Sequence, residues 1–497
     1  MSIQLIRKIV IVLLLSAVLG ACAAPPASQP AVIDPTAAMS EAPANTSPAP
    51  SPIPQLEPTP TLKVTPSQAQ TGDCSSIPLG ESLPIMTHSA GNQLTPVDPQ
   101  NGLPVCGYEP LSFRDFFQYA FSPGHNTLAI TDEGNGAHAD TQLHLVDLQT
   151  WEAITPTVSI AGWPNSLVFN PAGTQLAILL YPDNSQPKGD TLDIFDLQNQ
   201  VNLKSQALDF SPNLAKYTPG GDQLVLFGGV QSSQTEVPHA RLLVLAAQDY
   251  STTWETQFPD IPDGMHTPQQ TSSDPILEQW GPAVALSQDG RSLFILHSDG
   301  ASLTTVNLEN HQSSTQDVGR KVSWLERLLA LGAQTAYAKG VNGTTRQGVL
   351  SANGIFYVTG STETTQVDDN GVWNFSSTPL GLKAIDVKTG EILNQLDTDA
   401  TQLAVSPDES RLYLQGWKDD TPWAEVVSTD GLKLVSRMEN TILAPVNLLS
   451  GKSILIAERP TSGGVSLGIV NPETLQIGGT WKINSWQFHS EPAWLSP

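Results

Sequence analysis

The chain has 497 residues, of which 14% are charged, with 38 glycines and 40 prolines. That mixture suits short strands joined by turns, in one large repeat domain with a tail or in several ordinary domains. Acidic residues outnumber basic ones by 48 to 23, a formal net charge of −25 that repels phosphate backbones and argues against nucleic acid as a partner.

Residues 1–22 read as a targeting segment. Arg7 and Lys8 supply positive charge, and the apolar run from Ile9 to Leu19 is too short to span a bilayer comfortably. It ends in Leu19-Gly20-Ala21-Cys22. A branched residue, two small residues and a cysteine resemble the lipobox of bacterial lipoproteins. The resemblance implies that Cys22 is diacylated on sulfur after cleavage, which puts the protein on the extracytoplasmic side of a cell membrane. An ordinary signal peptide with an incidental cysteine is the alternative. Residues 23–73 are mostly Pro, Ala, Ser, Thr and Gln, have almost nothing to bury, and read as an extended, disordered tether.

The folded domain is expected over 74–497. It holds Cys74 and Cys106, which an oxidising compartment would join in a disulfide; two free thiols are the other reading. Neither has the companions that a zinc site needs.

One unit then recurs: a short apolar strand, a tight polar turn and a second apolar strand. The copies are AFSPGHNTLAI from Ala120, VFNPAGTQLAI from Val168, KYTPGGDQLVL from Lys216, ALSQDGRSLFI from Ala285, VLSANGIFYV from Val349, AVSPDESRLYL from Ala404 and NLLSGKSILI from Asn447. A third strand follows most of them and ends in a polar turn, as in LHLVDLQT from Leu143 and LKAIDVKT from Leu382. A poorer fourth strand completes each unit. No copy can bury both faces of its sheet alone, and radial stacking of copies solves this.

Ser406-Pro407-Asp408 and Asp386-Val387-Lys388-Thr389-Gly390 are the copies that most resemble the repeats of YVTN and WD40-like propellers. The resemblance runs from about Ser82 to Pro497 and implies an all-β fold, a β-propeller of four-stranded blades; the Trp-Asp pair of true WD40 blades is missing. Strands from Ser82, Gln93 and Leu103 lack an innermost partner, and the end of the chain, Phe488 to Ser496, looks like that partner. Eight blades are therefore expected, closed by strands from both ends, with seven as the alternative.

In such a blade the first–second and third–fourth turns lie on one face, and they are short here. The connections on the other face hold the insertions: 132–140, 181–190, 229–240, 259–280, 319–345, 361–381 and 417–423. Length variation confined to one face is what a binding surface on a rigid scaffold looks like; drift in unconstrained loops is the other reading. Candidate residues there are Asp368, Asp369 and Trp373, with Trp417, Asp419, Asp420 and Trp423. The tryptophans either anchor a protein or sugar or cap the ends of blades. No spacing of the carboxylates matches an EF-hand loop, so no metal is assigned. A helix is expected over 322–338, its Trp324, Leu325, Leu328, Leu329 and Leu331 stripe either packing on the propeller or serving as an amphipathic foot.

No GxSxG elbow, HExxH pair or phosphate loop is present. His138, Asp140 and His144 are close in sequence but straddle a loop and a strand. The expected function is a lipid-anchored binding or scaffold propeller for a protein or polysaccharide ligand, with no cofactor. In architecture it resembles the barrel-assembly lipoprotein of Gram-negative outer membranes. A lipid-anchored enzyme of the lactonase or quinone-dehydrogenase type is the alternative.

Overall fold

Six four-stranded antiparallel sheets and one seven-stranded sheet follow one another along the chain, preceded by a three-stranded sheet. The computed structural model describes residues 74–483 apart from 88–91, 115, 134–139, 182–188, 230–236, 267–276, 320–340, 368–372, 419–420 and 462–463. The described residues fall in one unit, Pro66–Pro497.

The three-stranded sheet is β1 (Leu83–Thr87), β2 (Asn92–Val97) and β3 (Leu111–Phe113). Blade one is β4 (Phe116–Phe121), β5 (Thr127–Glu133), β6 (Asp140–Asp147) and β7 (Glu152–Ala161). Blade two is β8 (Pro164–Phe169), β9 (Gln175–Leu180), β10 (Thr191–Asp196) and β11 (Val201–Ala207). Blade three is β12 (Ser211–Tyr217), β13 (Gln223–Gly229), β14 (His239–Ala246) and β15 (Thr252–Pro262). A hairpin of β16 (Gly264–His266) and β17 (Leu277–Gly281) leads to blade four, β18 (Ala283–Leu286), β19 (Ser292–Leu296), β20 (Ser302–Asn307) and β21 (Gln312–Asp317). Blade five is β22 (Val341–Leu350), β23 (Ile355–Val367), β25 (Leu382–Asp386) and β26 (Ile392–Leu396), with β24 (Trp373–Pro379) folded back on the end of β23. Blade six is β27 (Gln402–Val405), β28 (Arg411–Lys418), β29 (Thr421–Ser428) and β30 (Lys433–Glu439). Blade seven is β31 (Ile442–Asn447), β32 (Ser453–Thr461), β33 (Gly464–Val470) and β34 (Ile477–Ile483).

This is an all-β propeller, and its seven four-stranded blades match the smaller of the two expected counts. The three-stranded sheet stands between blades seven and one: Leu83, Ile85 and Val97 pack on Leu448, Ile456 and Leu467, while Leu94 packs with Leu128, Ile130 and Val146. The strand expected to complete it, 488–496, lies outside the described residues, as do Cys22, the 23–73 tether and the 322–338 helix. The segment from Leu103, read from sequence as a strand, makes only isolated bridges, Val97 to Pro104 and Ser75 to Val105. Two stretches read as insertions, 259–280 and 361–381, contain strands of their own. β17 runs parallel to β22, and β24 pairs with β23 from Ser361–Pro379 to Val367–Trp373.

The middle strands are apolar on both faces because each is covered by a blade on either side. Leu224, Val225, Leu226 and Phe227 of β13 have no exposed surface. Each side chain so buried contributes roughly 1.5–3 kcal/mol relative to exposure. The outermost strands have a single covered face and carry polar residues, as QSSTQD of β21 does.

In blades one, two, three, four and six the first–second turn is closed by the residue just after the innermost strand. The Ser122 Oγ accepts the Thr127 amide N–H, Asn170 Oδ1 that of Gln175, Thr218 Oγ1 that of Gln223, Ser287 Oγ that of Ser292 and Ser406 Oγ that of Arg411. The fourth residue of each turn is left-handed: Gly173, Gly221, Gly290, Gly354 and Gly451, but His125 (φ 48°) and Glu409 (φ 55°) in blades one and six. Glycine at 290 also meets a packing demand, since a Cβ there would lie 2.7 Å from Pro219 of the preceding blade.

Two indoles hold the three-stranded sheet in place. Trp151 Nε1 of blade one donates to Glu109 O, and Trp481 Nε1 of blade seven donates to Pro99 O, both at 3.1 Å. Cys74 and Cys106 are joined by a disulfide, and the Ser75 amide donates to Pro104 O while Ser75 Oγ donates to Asp98 Oδ2.

Candidate ligand-binding face

The innermost strands begin on the face that carries the insertions, and three consecutive ones begin irregularly. The register between β4 and β5 shifts between Phe116 and Gln118, that between β8 and β9 between Pro164 and Ser166, and that between β12 and β13 between Pro212 and Leu214. In blades two and three a proline removes one backbone donor and an asparagine occupies the bulge. A bulge re-aims the side chain it carries.

Both asparagines are aimed at buried carboxylates. Asn165 Nδ2 donates to Asp190 Oδ2 at 3.2 Å, and Ser211 Oγ, which opens blade three, donates to Asp190 Oδ1 at 2.8 Å. Asn213 Nδ2 donates to both oxygens of Asp263, at 3.1 and 3.0 Å. Burial pushes the carboxyl of Asp190 up, the hydroxyl and amide opposing it. Asp263 is 2% exposed, and burial takes its carboxyl up to about 7 despite the Asn213 amide. In blade one, Asp132 accepts the Arg114 amide at 3.0 Å and meets His144 Nε2 at 2.8 Å. In blade six, Glu425 accepts from Thr398 Oγ1 at 2.8 Å and Arg437 Nη1 at 3.0 Å. Buried acids therefore fix how chain enters and leaves the mouths of these blades. Sequence reasoning missed them; the Pro-Asn dipeptides at 164–165 and 212–213 were the available signal.

The large apolar residues exposed among those described divide cleanly. Val201, Leu203, Leu393, Leu434 and Val435 are aliphatic and lie on outermost strands. Trp163, Tyr181, Val237, Met265 and Trp417 lie at the insertion face and include every aromatic of the set. Trp163 and Tyr181 adjoin, since the Tyr181 amide donates to Trp163 O at 2.8 Å.

The residues proposed from sequence are placed unequally. Asp368, Asp369, Asp419 and Asp420 lie outside the described residues, and Trp373 opens β24. Trp417 is 53% exposed at the end of β28. Trp423, its neighbour in the same hairpin, is 1% exposed, because it sits across from Gly416 and lies in the core with Leu403, Leu412 and Leu414. Arg437 covers its ring at 4.2 Å from the centroid. Of the histidines near Asp140, His138 is outside the described residues and His144 is taken by Asp132. No group of three metal-ligating side chains occurs among the described residues.

No family model matches this chain, and no curated protein matches it. Solved structures do. The dihydro-heme d1 dehydrogenase NirN, in complex with DHE, is similar over 85% of this chain and 76% of its own, with 11% identity and a TM-score of 0.51. Hydrazine synthase of Kuenenia stuttgartiensis is matched over 72% of this chain and 96% of its own, at 15% identity and a TM-score of 0.40. The Cps50 (Swd1) β-propeller domain of Myceliophteria thermophila is matched over 74% and 99%, at 12% identity and a TM-score of 0.36. At such identities the first likeness establishes the propeller fold and nothing about chemistry.

Proposed function

We propose that this chain is an extracytoplasmic propeller, anchored at Cys22 by lipid, that holds a glycan or protein ligand against its insertion face. The observation that carries the binding reading is the division of exposed apolar residues: Trp163, Tyr181 and Trp417 stand on one face, and the opposite face is built of tight turns. Aromatic rings that are about half exposed are suited to stacking on sugars or filling a partner's pockets. The buried acids at the mouths of the blades supply rigidity, so ordering costs on binding are small. The anchor is supported by the lipobox-like Leu19-Gly20-Ala21-Cys22.

The test is capture from solubilised membranes and on immobilised polysaccharides, with wild type beside a Trp163→Ala, Tyr181→Ala, Trp417→Ala triple variant. A ligand kept by wild type and lost by the folded triple variant is expected. Equal capture by both proteins would remove the aromatic face from the account. Incorporation of labelled fatty acid, abolished by Cys22→Ala, is the separate test of the anchor.

A further inference from the structure

Arg346 lies on β22, the innermost strand of blade five, and is 9% exposed. Its Nε donates to Ser298 O at 2.8 Å, in the turn between β19 and β20 of blade four. The hydrogen bonds among the described residues engage neither Nη1 nor Nη2. Lys383, on β25, makes no hydrogen bond or ion pair with a described residue either.

The register puts these two cations together. Arg346 pairs with Gly360 of β23, and Lys383 pairs with Val358, two residues earlier on the same strand. Directly paired residues share a face of the sheet, as do residues two apart, so Arg346, Val358 and Lys383 all look toward blade four. Gly360 puts no side chain between them. Val358 and Ile385 continue that face into the core shared with Phe294 and Leu296 of blade four. Burial lowers the pKa of Lys383, and the Arg346 charge lowers it further.

Other charged and titratable groups nearby are few. His297 Nε2 is bonded to Thr304 Oγ1 at 2.8 Å, and burial lowers its pKa, so it is neutral near pH 7. Asp299 acts on Arg346 through space, but no ion pair joins them within 4 Å, and its Oδ1 accepts the Ala301 amide at 2.8 Å. A buried guanidinium and a half-buried ammonium face Asp299 here, with the exposed Asp260 acting on His297 through space, in a chain of net charge −25. Gly300 packs against the guanidinium, where a Cβ would collide with Nη2. Buried charges are ordinarily paired, and a guanidinium whose terminal nitrogens carry no hydrogen bond can take an oxyanion through two parallel ones.

We propose that the junction of blades four and five is an oxyanion subsite, in which Arg346 and Lys383 take a carboxylate, sulfate or phosphate group carried by the ligand. The proposal rests on the binding reading above only for its use in the cell, and narrows the ligand to an acidic one.

The experiment titrates full-length, detergent-solubilised protein with acetate, sulfate or phosphate at constant ionic strength, reading heats of binding. Saturable binding of at least one anion is expected, weakened about tenfold or more in Lys383→Gln. Arg346→Lys, which keeps the charge and loses the fork, is expected to weaken it as well. Lys383 is only half-buried, so its variant remains informative if the arginine variant does not fold. Absence of saturable binding in wild type, or isotherms that superimpose for wild type and Lys383→Gln, would overturn the subsite. The rank of the three anions separates a carboxylate ligand from a sulfated or phosphorylated one. Capture that depends on the aromatics without anion binding defeats the subsite alone. Anion binding without such capture defeats the wider binding reading alone.

Discussion

Asn213 Nδ2 donates to both carboxylate oxygens of Asp263, linking the bulge that opens blade three to the residue that follows its last strand. The carboxyl so held has a folded-state pKa of about 7, above the usual aspartate value because burial penalises the charge.

A raised carboxyl pKa means that the folded state holds its proton more tightly than the unfolded chain. The stabilisation this brings is complete below pH 4, is lost as pH rises from about 4 to about 7, and stays absent above. Asp263→Asn keeps a side chain that accepts from Asn213 and removes the charge. Chemical denaturation of wild type and variant at pH 5 and pH 8 is the check. The variant should fall less in stability between the two pH values; an equal fall in both proteins would refute the assignment.

Glu409 occupies a left-handed position at which five other blades have glycine. Its carboxylate accepts the Ala352 amide of the preceding blade at 2.9 and 3.0 Å. Glu409→Ala loses that bond and keeps the strain, so a cost of about 1–2 kcal/mol is expected. Glu409→Gly loses the bond and relieves the strain, and should be about 1 kcal/mol more stable than the alanine variant. Urea unfolding gives the comparison, and an alanine variant that equals or exceeds the glycine one contradicts the account.

Trp417 and Trp423 are six residues apart and should respond oppositely. Trp423→Ala opens a cavity in the core of blade six and is expected to cost about 3–5 kcal/mol. Trp423→Phe costs less, because the Trp423 Nε1 is buried with no hydrogen-bond partner. Trp417→Ala should stay within about 0.5 kcal/mol of wild type. A large loss of stability from Trp417→Ala would show that this ring is structural and not a contact for ligand.

The disulfide spans 32 residues of sequence. Loop-closure entropy for that separation is worth roughly 3–4 kcal/mol. Replacing both cysteines with serine should lower stability by about that amount and speed proteolysis near residue 74 first. Unchanged stability would place the bond outside the cooperative unit.

The repeat was legible because a strand that ends in Ser, Thr or Asn, followed by a left-handed fourth turn residue, has one local solution, and it recurs. The disulfide was legible from the expected oxidising compartment and the cysteine count. Blade number was harder, since the segment from Leu103 is extended but departs from β2 at Cys106 and returns only at Leu111. β17 and β24 were read as loops because they pair with β22 and β23, and local pattern carries no trace of those partners. Trp417 and Trp423 looked equivalent in sequence; register alone turns one outward and the other in. The buried acids were missed for the opposite reason: Asp190 and Asp263 sit in segments as polar as any exposed loop, and only the Pro-Asn dipeptides at 164–165 and 212–213 hinted at them.

The clasp made by Trp151 and Trp481 has a consequence for how the ring comes apart. Pro99 and Trp481 are 382 residues apart, so this contact requires the longest loop to close and gains least from local order. Closure there is expected to come last in folding, and the same joint to be the first to part under stress. When it parts, blades two to six keep every neighbour they had, and the molecule becomes an open coil of stacked sheets whose two free ends are β1–β3 and β34. Exchange of those ends between two chains, slow cleavage by proteases and the onset of aggregation would all start from one hinge line and leave the insertion face over blades two to six intact.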